Sequence, residues 1–210
     1  MNEVCNKLHC IFNNVERFNF PFDKNKIPEN GIYVLFEKGE KGHGLDRIVR
    51  IGTHKGNNKL RSRLFEHFLN ENKDRSIFRK NIGRALLNKE KDLFLKIWEL
   101  DLTARKARNE FSREIDFVKQ KEIEKKVSER IQGTFSFTVF EVPEKDKRLK
   151  FESKLISTIS LCEECYPSKD WLGLFSPLDK IRESGLWQVN ELYKNPLNEN
   201  EFNELRKLIK

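Results

Sequence analysis

The chain has 210 residues, 41 of them Lys or Arg and 33 Asp or Glu, for a formal charge of +8. With mean hydropathy −0.71 and pI near 9.3, no stretch approaches the ~18 consecutive apolar residues of a membrane-spanning helix. The 37% hydrophobic content is enough for a real core, since a chain this long buries roughly 70% of its unfolded surface. The basic excess points to a polyanionic partner, either nucleic acid or an anionic membrane surface. It is concentrated: residues 55–91 hold eleven Lys/Arg against four Asp/Glu. A solvated basic face is the plain alternative. The first residues, Met1-Asn2-Glu3-Val4, do not open an apolar leader, so a soluble, cytoplasmic protein is expected.

In chain order, residues 1–26 read as an N-terminal arm and Pro28-Glu29-Asn30-Gly31 as a turn. Ile32-Tyr33-Val34-Leu35-Phe36 is a β-branched and aromatic strand. A Gly-rich loop, Gly39 to Gly44, leads to a returning strand, Arg47 to Ile51, so the two strands form a hairpin. The glycine spacing is not a nucleotide loop, because a strand follows it rather than a helix. A helix over 59–69 carries Leu60, Leu64 and Phe68 on one stripe, and a second over 76–87 carries Phe78, Ile82 and Leu86. Residues 92–102 are apolar and ambiguous. A long charged helical pattern spans 103–131, with Ala104, Ala107, Phe111, Ile115 and Val118 on one side. Residues 135–142 alternate as a strand, 147–161 are helical, and a short Trp-containing tail closes the chain.

The expected fold is α+β: a small antiparallel or mixed three-stranded sheet flanked by helices. A single domain over 1–210 is expected, with a core of 27–70 and 132–165. Residues 71–131 are expected to be a helical insertion between the first core helix and the third strand, and 166–210 a C-terminal extension.

Several residues carry chemistry. Arg63 and His67 are four apart, so they share a helix face at the edge of its apolar stripe. An Arg fork holds two phosphate oxygens and a neighbouring His moves a proton or bonds phosphate; a surface pair is the alternative. Glu152 falls inside the stripe formed by Leu149, Leu155, Ile156 and Ile159. A carboxylate there needs an ion-pair partner or a metal, and both readings stand. Tyr33 alone reads equally well as packing. The cysteines fall as Cys5-x4-Cys10 and Cys162-x2-Cys165, with His9 beside the first pair. A zinc site would join the arm to the end of a distant helix, whereas reduced, partly buried thiols are the default.

Taken together, Gly31-Ile32-Tyr33, then Arg50-Ile51-Gly52, then Arg63-Leu64-Phe65-Glu66-His67, and Glu152 on a helix after the third strand resemble the GIY-YIG nuclease pattern. The resemblance covers 31–69 and 134–160 and leaves 71–131 aside. It implies a metal-dependent endonuclease that hydrolyses phosphodiester bonds of double-stranded DNA. A stand-alone chain of this kind resembles a restriction or defence enzyme, which would favour a homodimer. Tyr33 would be the general base or would position the attacking water, Arg63 would stabilise charge on phosphorus, and His67 would assist proton transfer or orient the phosphate. Glu152 would hold one Mg²⁺ (or Mn²⁺). Arg50 stands where the family pattern has a second tyrosine. It cannot act as a base, but a neighbouring cation favours the phenolate of Tyr33. His54, Lys55, Lys59, Arg61, Arg75, Arg79, Lys80 and Arg84 are the candidate DNA contacts. Asp170 is the candidate counterpart of an Asn that many family members place after the Glu-bearing helix. A catalytically weak nucleic-acid-binding protein that keeps the fold is the alternative function, favoured by Arg50. A zinc-stabilised interaction protein is a third.

Overall fold

The computed structural model describes residues 2–111 and 114–209. The apolar run of the first long strand decides the architecture. In β2 (Gly31–Gly42) every residue from Ile32 to Phe36 is buried, so both faces of the sheet are covered. Ile32, Val34 and Phe36 belong to one core, while Tyr33 and Leu35 belong to the other. That is the period-2 alternation of a strand with a core on each side.

β2 is central. It pairs antiparallel with β3 (Leu45–Gly52) on one side and with β4 (Phe135–Glu141) on the other. A two-residue strand β1 (Phe18–Asn19) joins the far side of β4. The sheet therefore has four antiparallel strands in the order β1-β4-β2-β3, one short edge strand beyond the three expected.

The β2–β3 register contains an irregularity with a consequence for the site. Tyr33 faces Gly52, Val34 faces Ile51 and Leu35 faces Arg50, but Phe36 faces Ile48. Val49 is the extra residue of a bulge. Strict alternation from Ile48 would put Arg50 on the same face as Ile48; the bulge turns it to the face that carries Tyr33.

One face is covered by α1 (Asn2–Asn13), α7 (Lys145–Ser160) and α9 (Glu199–Arg206). The expected arm thus begins as a helix, with Val4, Leu8 and Phe12 at four-residue spacing buried against the sheet. The other face is covered by α2 (Leu60–Phe68), α3 (Ile77–Lys89), α4 (Leu95–Trp98) and α6 (Phe117–Thr134). Trp98 lies across α3 at Gly83, where an added Cβ would sit 2.3 Å from the indole ring. Two shorter helices, α5 (Arg105–Phe111) and α8 (Asp179–Ser184), complete the set among the described residues.

The long helix expected over 103–131 differs. Residues 112–113 lie outside the described residues, and Asp116 begins a new helix by accepting the Lys119 N–H at 2.9 Å. The buried stripe of α6 is Ile123, Val127 and Ile131, while Ala104 and Val118 are exposed. Competing spacings explain the difference, because an N-cap restarts the helical phase.

The Trp-containing tail is not peripheral. Trp171 and Trp187 are buried together, with ring centroids 4.9 Å apart. The Trp187 N–H donates to Val49 O at 2.8 Å, and Gln188 Oε1 accepts the Ile51 N–H at 3.0 Å. The segment therefore satisfies edge groups of β3 that pair with no other strand. No helix among the described residues is long and apolar enough to cross a membrane.

Candidate active site

Beside the β3 edge, α2 overhangs from one face of the sheet and α7 from the other. Between them opens a cavity of about 810 Å³. Its walls are the end of β3 (Arg50, Ile51), the loop Thr53 to Gly56, Lys59 and Arg63 at the start of α2, Glu152 and Ser153 on α7, and the segment Gln188 to Glu191.

Glu152 faces this cavity rather than the core. One carboxylate oxygen accepts the Thr53 N–H at 3.0 Å, and Thr53 Oγ1 donates to Gly31 O at 2.6 Å. The loop after β3 thus ties α7 to the first residue of β2. Among the described residues Glu152 forms no ion pair. Burial raises its pKa above the usual carboxylate value; the Thr53 N–H and the Arg50 charge oppose that rise, and Glu191 adds to it.

Arg50 is a guanidinium in the opposite condition. It is buried, it donates through Nη1 to Trp187 O, and its Nε is buried without a hydrogen-bond partner among the described residues. The Phe78 ring lies 5.3 Å from its guanidinium carbon. Arg63 adjoins the same space, paired with Glu66 at 3.0 Å and donating to Arg75 O at 3.0 Å.

Tyr33 and His67 meet behind this wall. Their hydroxyl and Nε2 are 2.8 Å apart, and His67 Nδ1 lies 2.7 Å from Ser76 Oγ. Tyr33 is 1% exposed, His67 is fully buried, and neither lines the cavity. Burial holds the imidazole pKa well below its ordinary value, and Arg63, Arg50 and Arg79 push it the same way, so the ring is neutral at neutral pH. Ser76 Oγ already accepts the Arg79 N–H as the N-cap of α3. If the Ser76 hydroxyl gives its proton to Nδ1, His67 donates Nε2–H to the phenolic oxygen. The reverse tautomer leaves the buried Ser76 proton with no acceptor among the described residues. Gly52 closes this arrangement, since an added Cβ would stand 2.2 Å from the Tyr33 hydroxyl.

The candidate DNA contacts divide. Lys55 and Lys59 are exposed at the cavity rim, and Arg75 is exposed nearby. Arg61 is half-buried, donating to Ile27 O at 2.7 Å. Four others are engaged within the protein. Arg79 is 0% exposed: it binds Glu124 through Nε and Nη2 at 3.0 and 2.8 Å, Ser128 at 2.8 Å and His67 O at 3.2 Å. It anchors α6 to the helix that carries His67. Lys80 is buried with Nζ on Glu99 O at 2.8 Å, and Arg84 grips both oxygens of Glu99. His54 has both ring nitrogens engaged, Nδ1–H with Gly56 O at 2.6 Å and Nε2 accepting the Gly31 N–H at 3.3 Å. Burial and Arg148 lower its pKa, so it is a neutral brace for the loop. A basic count along the sequence cannot tell a rim lysine from a buried arginine with an internal partner.

Asp170 is exposed and lies off the cavity wall, whereas Asn190 is on it. Gln188, Asn190 and Glu191 were not legible from spacing. They reach the site only because the preceding tryptophan docks on β3.

The family model for the GIY-YIG domain matches residues 3–210. The chain belongs to the GIY-YIG family. No curated protein and no solved structure matches it.

A GIY-YIG domain is a nuclease domain acting on DNA, and nucleases of this family generally depend on a divalent metal. The donor set of this GIY-YIG chain fits such an ion: Glu152 holds one oxygen on the backbone and leaves the other with no partner among the described residues, facing an open polar cavity.

Proposed function

We propose that this GIY-YIG protein is a metal-dependent endonuclease of the restriction or defence type, hydrolysing phosphodiester bonds in double-stranded DNA. One observation carries the proposal. Buried Arg50, whose Nε has no hydrogen-bond partner, and half-buried Glu152, which leaves one carboxylate oxygen without a partner, border the same cavity and form no ion pair with each other among the described residues. Burying both is costly, and a phosphate together with a cation satisfies both.

In this reading Glu152 would hold a Mg²⁺ or Mn²⁺ ion, which would supply Lewis-acid stabilisation of the phosphate and the leaving 3′ oxygen. Arg50 and Arg63 grip phosphate oxygens and stabilise charge developing on phosphorus. Tyr33, whose oxygen accepts the His67 Nε2–H, positions the attacking water, and binding of DNA opens the wall that covers its hydroxyl. Asn190, rather than Asp170, is the counterpart of the family's late Asn. Lys55, Lys59 and Arg75 bind the flanking backbone. Residues 1–210 act as one domain, in which 27–70 and 132–165 are the nuclease core, 71–131 an insertion and 166–210 an extension that completes the site. The four free thiols suit a reducing compartment, the cytoplasm.

The concealment of Tyr33 and the presence of Arg50 favour one second reading, a DNA-binding protein of weak activity. Purified protein incubated with supercoiled and linear duplex DNA, with Mg²⁺, Mn²⁺ or EDTA, separates the two. Discrete metal-dependent fragments, lost in Glu152→Gln and Tyr33→Phe, support the restriction-type nuclease. Binding without cutting on several genomic DNAs refutes it. Nicking before linearisation marks a single chain acting alone, and direct linearisation a pair.

A further inference from the structure

On the side of the sheet away from Tyr33, three segments remote in sequence bring thiols and imidazoles together. Cys5 comes from α1, His43 from the turn of the β2–β3 hairpin, and Cys162 and Cys165 from the loop after α7. Cys5 Sγ and Cys165 Sγ are 3.5 Å apart, and Cys162 Sγ is 3.3 Å from His43 Nε2. The ligand atoms of Cys5, His43 and Cys165 lie within 4.8 Å of one another. We propose that Cys5, Cys162, Cys165 and His43 form a structural zinc site that ties these three segments together.

The distances suit the ion. With Zn–S of ~2.3 Å and Zn–N of ~2.0–2.1 Å, tetrahedral geometry puts sulfurs ~3.8 Å apart and sulfur ~3.6 Å from nitrogen. The Cys5–Cys165 pair at 3.5 Å and the Cys162–His43 pair at 3.3 Å are already at that spacing to within a few tenths of an ångström.

Hydrogen bonding selects His43 over its neighbour. His9 lies in the same cluster, but both its nitrogens serve the backbone: Nδ1 donates to Cys5 O at 3.0 Å and Nε2 accepts the Ile48 N–H at 3.2 Å. It has no lone pair left to give and acts as a wall. His43 Nε2 has no such partner and points at Cys162. Its Nδ1 lies 3.1 Å from the Glu164 carboxylate, which Asn2 also holds at 2.9 Å. A carboxylate on the far nitrogen is the usual brace of a metal-bound imidazole.

The backbone is shaped for this cluster as well. His43 stands at the tip of a hairpin with φ 53°, yet its side chain is only 2% exposed. A turn residue held in the left-handed region and drawn inward is costly unless something fixes it. Gly42 packs against the cluster, where a Cβ would sit 3.4 Å from both Cys165 Sγ and His9 Nε2. Cys10 is excluded: it is exposed and bonds Asn6 on its own helix. None of the four ligands lines the cavity, so this ion is separate from the one proposed at Glu152.

The test uses the full chain, untagged, purified from zinc-supplemented cells. Elemental analysis is expected to find about one zinc per chain, equally in Glu152→Gln and Cys10→Ser. Chelator-stripped protein titrated with Co²⁺ is expected to develop thiolate-to-metal charge-transfer and tetrahedral ligand-field bands that saturate at one equivalent. Stripping is expected to lower the melting temperature by roughly 10 °C. Cys162→Ser and His43→Ala should weaken cobalt binding at least about 100-fold. Zinc below about a tenth per chain, with no charge-transfer band on adding Co²⁺ to the wild-type protein, overturns the proposal. So does a mass showing a Cys5–Cys165 disulfide in protein prepared without oxidant. If the variants fail to fold, the wild-type cobalt spectrum decides alone.

Discussion

Glu152→Gln separates a residue kept for chemistry from one kept for stability. The amide preserves the oxygen that accepts the Thr53 N–H, so the link between α7 and the β3 loop survives. What it removes is a half-buried negative charge with no ion-pair partner among the described residues. Because the Glu152 pKa is raised in the folded protein, the native state binds this proton more tightly than the unfolded chain does. Its contribution to stability is therefore complete below the unfolded carboxylate value and is lost as pH rises through the raised value. Glutamine mimics the protonated form at every pH. In EDTA the variant should match wild type near about pH 4. It should become the more stable protein toward neutral pH, by on the order of 1 kcal/mol, the usual gain from relieving such a site. For a chain of this length that is roughly 2–4 °C in Tm. Saturating Mg²⁺ should narrow or reverse the gap by stabilising wild type alone, while cleavage falls at least about 100-fold in the variant. Thermal melts from acid to neutral pH, with EDTA and with Mg²⁺, read all of this. A Tm difference independent of both pH and metal, or cleavage at the wild-type rate, would refute the reasoning.

Tyr33→Phe should leave the fold intact, cost about 1–3 kcal/mol through the His67 Nε2 left without its partner, and reduce cleavage about 100-fold or more with DNA affinity retained. Gly52→Ala drives a methyl into the Tyr33 hydroxyl; a loss of about 1–3 kcal/mol in denaturant titrations, with loss of cleavage, is expected. Arg79→Ala should destabilise by about 3–5 kcal/mol, because Glu124 is left buried without its partner. Lys55→Ala and Lys59→Ala should barely move Tm but each lower the slope of log affinity against log salt by about 0.9. If Arg79→Ala were as stable as wild type and merely bound DNA less well, the buried-pair assignment would be wrong.

The amphipathic stripes of α2 and α7, the unbroken apolar run of β2 and the alternation of β4 were legible in the sequence because each depends on local period alone. The strand–hairpin–helix order, and with it the family and the positions of Tyr33, Arg63, His67 and Glu152, followed from those periods and from short motifs. The tertiary structure decided what local pattern cannot encode. A one-residue bulge turned Arg50 to the Tyr33 face. Docking of Trp187 on the β3 edge brought Asn190 and Glu191 into the site. Arg79, Lys80 and Arg84, indistinguishable in sequence from the rim lysines, were drawn inward by Glu124 and Glu99 from segments about 15 to 45 residues away. Charge and spacing set what a side chain is able to do, but only packing sets what it faces, because burial and partners come from contacts that are distant in the chain.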